Sequence, residues 1–221
     1  TQHITKDLLA ELLLSDIDGF LVRSGGQFAQ VRHSGKAVVV DYTLNVTNEK
    51  SLQTWLDAGA EQVCLSPELN AAEIAAFAGK ETEMLVYGYL PLMITQQCPI
   101  GNYVGGKAGK MYCSEKGTES LYFLQDRKGE RFPLMPDCER CVCRILNGKP
   151  LFTLKFFDEV MDNGVGSVRL FFTKESGARA AQIARAYGEM VQGQKGPAAK
   201  ELLRQMELRG STKGHFFRGV E

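Results

Sequence analysis

Short runs rich in β-branched and aromatic residues recur along the first half of the chain: "GFLVRS" at 19–24, "AVVVDY" at 37–42, "EQVCLS" at 61–66 and "EMLVYGYL" at 83–90. Their length, composition and spacing predict buried parallel strands of βα units. Between them lie "NEKSLQTWLDAGA" from Asn48 and "SPELNAAEIAAFAG" from Ser66. Each opens on an N-capping side chain and ends near glycine, as helices do, and the second carries Pro67 at the expected first helical position, where a missing N–H costs nothing. A glycine-rich stretch with Gly101, Gly105, Gly106 and Gly109 then breaks the rhythm. It leads into "SLYFLQD" and "ERFPLM", two strands predicted to form a hairpin around Lys128 and Gly129. The rhythm resumes with "LFTLKFFDEVMDNGVGSVRLFF", a helix followed by a strand at 167–172, then the amphipathic "SGARAAQIARAYGEMVQGQ" and one more short helix in the tail.

About five βα-like units are too few to close an eight-stranded barrel and enough for a half-barrel or an open doubly wound sheet. The first strand begins almost at the N-terminus, so the chain is expected to be the later half of a longer protein. Its organisation reads as βα units of a partial barrel over 1–97, a Cys-rich insertion over 98–150, and a final βα unit with C-terminal helix and tail over 151–221.

Composition narrows the class. With 221 residues and 44% hydrophobic content the chain can bury a sizeable core. Lys plus Arg equals Asp plus Glu at 26 each, so any basic surface has to be local. No apolar run approaches the roughly 18 residues of a membrane span, and the charged N-terminal "TQHITKDLLAELLLSDIDG" is unlike a signal peptide. A cytoplasmic location is the expectation. Thiols stay reduced there, which makes clustered cysteines metal ligands or redox groups rather than a disulfide framework.

Five of the six cysteines fall between Cys98 and Cys143, at Cys98, Cys113, Cys138, Cys141 and Cys143, with gaps of fourteen, twenty-four, two and one residues. Tetrahedral zinc sites and cubane iron–sulfur clusters both take four thiolates, commonly with one close pair from a single turn, and Cys138 with Cys141 fits that pair. Zinc remains open on spacing alone. Cys98 and Cys113 stand well apart, which leans toward a cluster held between segments. Nearby glycines admit close backbone approach, and Pro99 and Pro136 stiffen the path to the ligands. Cys64, alone inside its strand, reads as a small apolar residue.

Six motifs in order now carry a resemblance: "PELN", "EMLVYGYLPLM", "CPIG" at 98–101, "YFLQDRKGERFPL", "ILNGKPL" and "TKGHFFRGVE". Together they resemble the later half of members of peptidase family U32, the collagenase-like peptidases. The resemblance implies an α/β fold, a TIM-barrel-derived half-barrel of parallel βα units with a Cys-rich insertion containing a β-hairpin, its leading strands supplied by an upstream half. The family's signature resembles E-x-F-x-H-G-x-x-C with a further Cys seven positions on. Here it places Glu83 first, Tyr87 where His is usual, Pro91 at the first Cys and Cys98 at the second, so two of four positions have changed. The subgroup carrying CPIG has two loop cysteines three residues apart and then a Cys-Arg ahead of Ile-x-Asn. Cys113 matches the first, Gly117 stands at the second, and Cys141 sits six before Asn147. The implied ligands are therefore Cys98, Cys113 and Cys141, with the fourth from Cys138 or Cys143. Cys138 is preferred, because a one-residue gap constrains two thiolates more than a two-residue gap does.

Two chemistries follow from the resemblance. Proteolysis needs a nucleophile or an activated water, yet the chain has no HExxH, no GxSxG and only three histidines, His3, His33 and His215. Relatives that hydroxylate bases of ribosomal or transfer RNA with a 4Fe-4S cluster match the thiols better. Hydroxylation of an RNA base is accordingly expected over proteolysis, with a structural zinc or docking module as the non-enzymatic alternative. Residues at C-terminal strand ends line the mouth in such barrels. Asp41, Asn45 and Tyr87 are the catalytic candidates, each with an ordinary reading beside it as a cap, turn or core residue. Ser66, Glu68 and Asn70 share those ends. For RNA the candidates are Lys107, Lys110, Arg127, Lys128, Arg131 and the tail with Phe216 and Phe217, although hairpin charges are commonly just solvated and tail rings packed. The Gly25-Gly26 pair reads as a turn. Open sheet edges predict self-association of the isolated chain.

Overall fold

The computed structural model describes residues 5–104, 122–138 and 140–218. After α1 (Lys6–Leu14) come β1 (Gly19–Val22), α2 (Gly25–Val31), β2 (Ala37–Val40), α3 (Glu49–Asp57), β3 (Gln62–Cys64), α4 (Ala71–Phe77) and β4 (Thr82–Gly88). A second set, β5 (Pro91–Thr95), β6 (Tyr122–Gln125), β7 (Arg131–Asp137) and β8 (Val142–Leu146), follows. The chain then returns through β9 (Leu151–Phe152), α5 (Phe157–Asp162), β10 (Ser167–Phe171), α6 (Gly177–Val191) and α7 (Pro197–Arg209).

Strands β1, β2, β3, β4 and β10 pair in that order, all parallel, and curl into a half-barrel with helices packed on one face. The expected α/β half-barrel is thus present. Val22, Val38, Val40, Val63 and Val86 point into the main core beneath the helices. Alternate residues on the other, inner face include Asp41, Cys64, Glu83, Leu85 and Arg169, as the two-residue period of a strand requires. Gly88 lets β4 and β10 approach closely: its φ is +150°, and a Cβ there would meet the Phe171 carbonyl oxygen at 2.5 Å.

Several details depart from the pattern read along the chain. Helix α4 begins at Ala71, so Pro67 lies in the preceding turn and not at the first helical position. The physical reason is a reciprocal cap: Asn70 Oδ1 accepts from the Glu73 N–H at 3.0 Å, while the Glu73 carboxylate accepts from the Asn70 N–H at 2.8 Å. Ser66 is spent elsewhere, its hydroxyl donating to Asn45 Oδ1 at 2.7 Å. The hairpin turns at Lys128 and Gly129 as expected, held by Asp126 Oδ1, which accepts from the N–H groups of Lys128 and Glu130 at 2.8 and 2.9 Å. It is only half of its sheet. Strand β8 pairs with both β7 and β5, giving an antiparallel order β5-β8-β7-β6. Strand β9 adds antiparallel to β4 at Tyr87 and Gly88, beyond the point where short β3 ends.

The tail is tied down. Phe152 N–H donates to the Thr212 carbonyl and Ala71 N–H to that of Phe216. Phe216 stacks on Phe156 at 5.2 Å, which makes it a core side chain, whereas Phe217 is half exposed under Lys213. No helix among the described residues is long and apolar enough to cross a membrane.

One buried phenol joins three elements. Tyr187 on α6 donates to the Val86 carbonyl at 2.7 Å, and its oxygen also faces the Thr153 N–H at 3.2 Å. Tyr187→Phe should lower unfolding free energy by roughly 1 kcal/mol, since it removes one buried hydrogen bond while the Thr153 N–H and the Val86 carbonyl stay paired with each other. Urea denaturation followed by circular dichroism measures it.

Candidate functional site

The thiols are positioned by the antiparallel sheet. Strand β5 ends at Thr95, whose hydroxyl accepts from the Gln97 N–H at 3.1 Å, and the chain turns to present Cys98. The Cys98 carbonyl accepts from the Asn102 N–H at 3.0 Å, opening the π-helical turn Ile100–Val104. From the other side, Asp137 closes the β7–β8 connection by accepting from the Arg140 N–H at 3.2 Å and pairing with its guanidinium at 3.0 Å. Cys141 in that connection has φ +52°, a left-handed conformation that an L-residue adopts at a cost of about 1–2 kcal/mol. Register then sets Cys143 opposite Pro136 on β7 and opposite Thr95 on β5.

Cys98, Cys138 and Cys141 line one cavity of about 350 Å³, together with Gln96, Gly101 and Asp137. Cys143 is fully buried, with its thiol against that of Cys98. Burial, then the neighbouring Cys98 sulfur, pushes the Cys143 thiol up to about 11. Cys113 lies outside the described residues, as do Lys107 and Lys110. Among the described residues no group of three His, Cys, Asp or Glu side chains surrounds a single-ion position. Cys64 stands apart on the inner face of the half-barrel, its thiol pushed up by burial. It is a neutral apolar filler.

The strand ends hold different chemistry. Asp41 is buried and accepts from Arg23 Nε at 3.0 Å, Thr43 Oγ1 at 3.1 Å and Arg169 Nη1 at 2.6 Å. Arg169 also pairs with Glu83, so two carboxylates and two guanidinium groups form one neutral network across the sheet. That occupies the Asp41 oxygens. Asn45 closes a short 3₁₀ turn with φ 52° and, through Ser66, ties the ends of β2 and β3 together. It lines a second cavity of about 490 Å³ with Tyr42, Glu68, Asn147 and His215, against an apolar wall from Leu90 and Leu92.

Tyr87 is not at that mouth. Its hydroxyl is turned away and donates to Glu175 Oε1 at 2.9 Å, in a third cavity of about 460 Å³. Burial, then the Glu175 carboxylate, raises its pKa above the usual phenol value. Arg169 escaped notice as a site residue, although a lone charge inside the apolar run "SVRLFF" was its signal. Nothing local marked Lys174 and Glu175, which gain meaning only from what they face.

A half-barrel of parallel βα units joined to a thiol-bearing antiparallel sheet defines the structural class. The model of peptidase family U32 matches residues 3–221, and the chain belongs to that family. No curated protein and no solved structure matches it.

Two outcomes follow from this geometry. In metal-free reduced protein, iodoacetamide should alkylate Cys98, Cys138 and Cys141 well before Cys143, read by peptide mass spectrometry after short exposure near pH 8. Asp41→Asn leaves buried Arg169 with Glu83 alone and should destabilise the fold by roughly 3 kcal/mol, visible as a lower denaturation midpoint.

Proposed function

We propose that this chain carries the cluster-holding centre of an iron–sulfur enzyme of family U32 that hydroxylates a base of ribosomal or transfer RNA. The observation behind it is the convergence of Cys98, Cys138 and Cys141 on one cavity, from two segments distant in sequence. Three thiols of this kind are a soft donor set suited to iron–sulfur or zinc, and about 350 Å³ is more room than one ion fills. The fourth donor is Cys113 or Cys143. The second of these lies against Cys98 but is buried outside the cavity lining, so ligation by it requires both loss of its proton and a turn toward the cavity. When bound, such a cluster supplies one-electron transfer.

The protein's own contribution is placement. The left-handed backbone at Cys141 is the kind of strain that persists where surrounding structure over-determines it, as at ligand clamps. Gly101 leaves the cavity wall without a side chain on that flank. At the strand ends, the amides of Asn45 and Asn147 and the Tyr42 ring stand beside Leu90 and Leu92. Amides and a carboxylate, Glu68, beside an apolar wall can meet the edge and face of a nucleobase.

Chain purified without oxygen should contain about four iron and four acid-labile sulfide per molecule, both lost in Cys98→Ser. RNA from cells lacking the gene should also miss one base heavier by a single oxygen in mass mapping. Stoichiometric zinc without iron, or unchanged RNA together with cleavage of unfolded collagen, would return the protein to structural or proteolytic roles.

A further inference from the structure

The third cavity has a charge pattern that the family assignment does not explain. Lys174, Arg179 and Arg209 line it with a single carboxylate, Glu175. That carboxylate is already engaged: Oε1 accepts from the Tyr87 hydroxyl, and Oε2 accepts from the N–H groups of Thr173 and Lys174 at 2.7 and 3.0 Å. None of the three cations forms an ion pair with a carboxylate among the described residues. Arg179 instead donates to the neutral Gln182 and Gln205 oxygens and the Met206 sulfur, and the Lys174 ammonium sits 3.8 Å from the Tyr89 ring centroid and 5.7 Å from that of Phe123. Burial lowers the Lys174 pKa, a cost that an incoming anion would reverse. What sets these three cations apart is that they face one hollow together.

A neighbouring hollow shares two of these residues. Arg179 and Arg209 also line a further cavity of about 450 Å³ along the α6–α7 pair, with Gln182, Gln205 and Leu208. Two hollows sharing two arginines make a path longer than one phosphate, with aromatic rings at one end and amides at the other.

We propose that this path binds single-stranded RNA, with Lys174, Arg179 and Arg209 on successive phosphates and the glutamines within reach of base edges. This rests on the RNA reading of the protein and adds to it the surface that delivers the strand. A lone phosphate would leave half the path unused, and an acidic peptide would match the cations but bring no bases for the rings and amides. Positively charged grooves flanked by aromatic rings are the general means of holding single strands without sequence preference.

The test is fluorescence anisotropy with a short fluorescein-labelled oligouridylate across a range of salt concentrations. Arg209→Gln, at an exposed helix end, and Lys174→Gln should each weaken binding roughly tenfold and make the salt slope shallower by about 0.7 per lost phosphate contact. Lys80→Gln, the same charge change at a solvated position before β4, should leave both unchanged. Unaltered affinity and slope in both variants, an equal loss in Lys80→Gln, or no binding by the unaltered chain overturns the proposal. Those results would leave the thiol-held cluster and base hydroxylation standing, because iron, sulfide and RNA mass read them separately. Binding through these residues with no oxidised base would establish the path and remove the reaction.

Discussion

Strand β4 is buried at all seven positions, so its backbone has no water to bond and must find every partner within the chain. That requirement organises the molecule. Strand β3 serves the start of β4, β9 serves its end, and β10 runs along the opposite edge. The Val86 carbonyl alone accepts from the Thr153 N–H, the Thr153 hydroxyl and the Tyr187 phenol. Because β4 precedes the antiparallel sheet and these donors follow it in sequence, satisfying β4 also fixes where the chain re-enters the half-barrel. The second and third cavities border this assembly, Leu151 of β9 lining one and Tyr87 of β4 the other.

Charge is handled in two opposite ways on either side of β4. On the inner face, Arg169 and Asp41 are nearly sheltered from solvent, and the network they form with Glu83 and Arg23 is closed and neutral. A buried charge lacking its partner would cost several kcal/mol, so pairing there is compulsory. Around Lys174 the cations stay partly solvated and carry no carboxylate partner. Water keeps them tolerable. The contrast separates an ionic group that holds a fold from one that is available for binding, although both occur in a chain of zero net charge.

The thiols obey a third logic. Cysteine is chemically suited to either core or metal, and this chain shows both environments. Cys64 sits among Leu85 and Leu151, whereas Cys98, Cys138 and Cys141 face a hollow. Cys143 stands between the two, buried like the first and adjacent to the second group. What distinguishes them is not the residue but the turn that carries it: a left-handed Cys141 and an Asp137-closed connection turn side chains toward the cavity that regular strand geometry would have sent elsewhere.

Local pattern determined a good deal of this protein by itself. The βα rhythm, the Asn48 cap, the hairpin at Lys128 and Gly129 and the gathering of thiols in one region were legible, because strand period, capping and turn chemistry act over a few residues. The family, too, was legible from motifs in order. Other features were decided only by tertiary structure. Asp41 meets Arg169 across 128 residues, Tyr87 turns from the strand-end mouth toward Glu175, and β5 and β8 find each other across the intervening hairpin. These depend on strand order and register, which bring together side chains that no local period relates. A lysine at 174 reads as an ordinary surface charge in the sequence; only the fold sets it against two aromatic rings and beside two arginines from elsewhere.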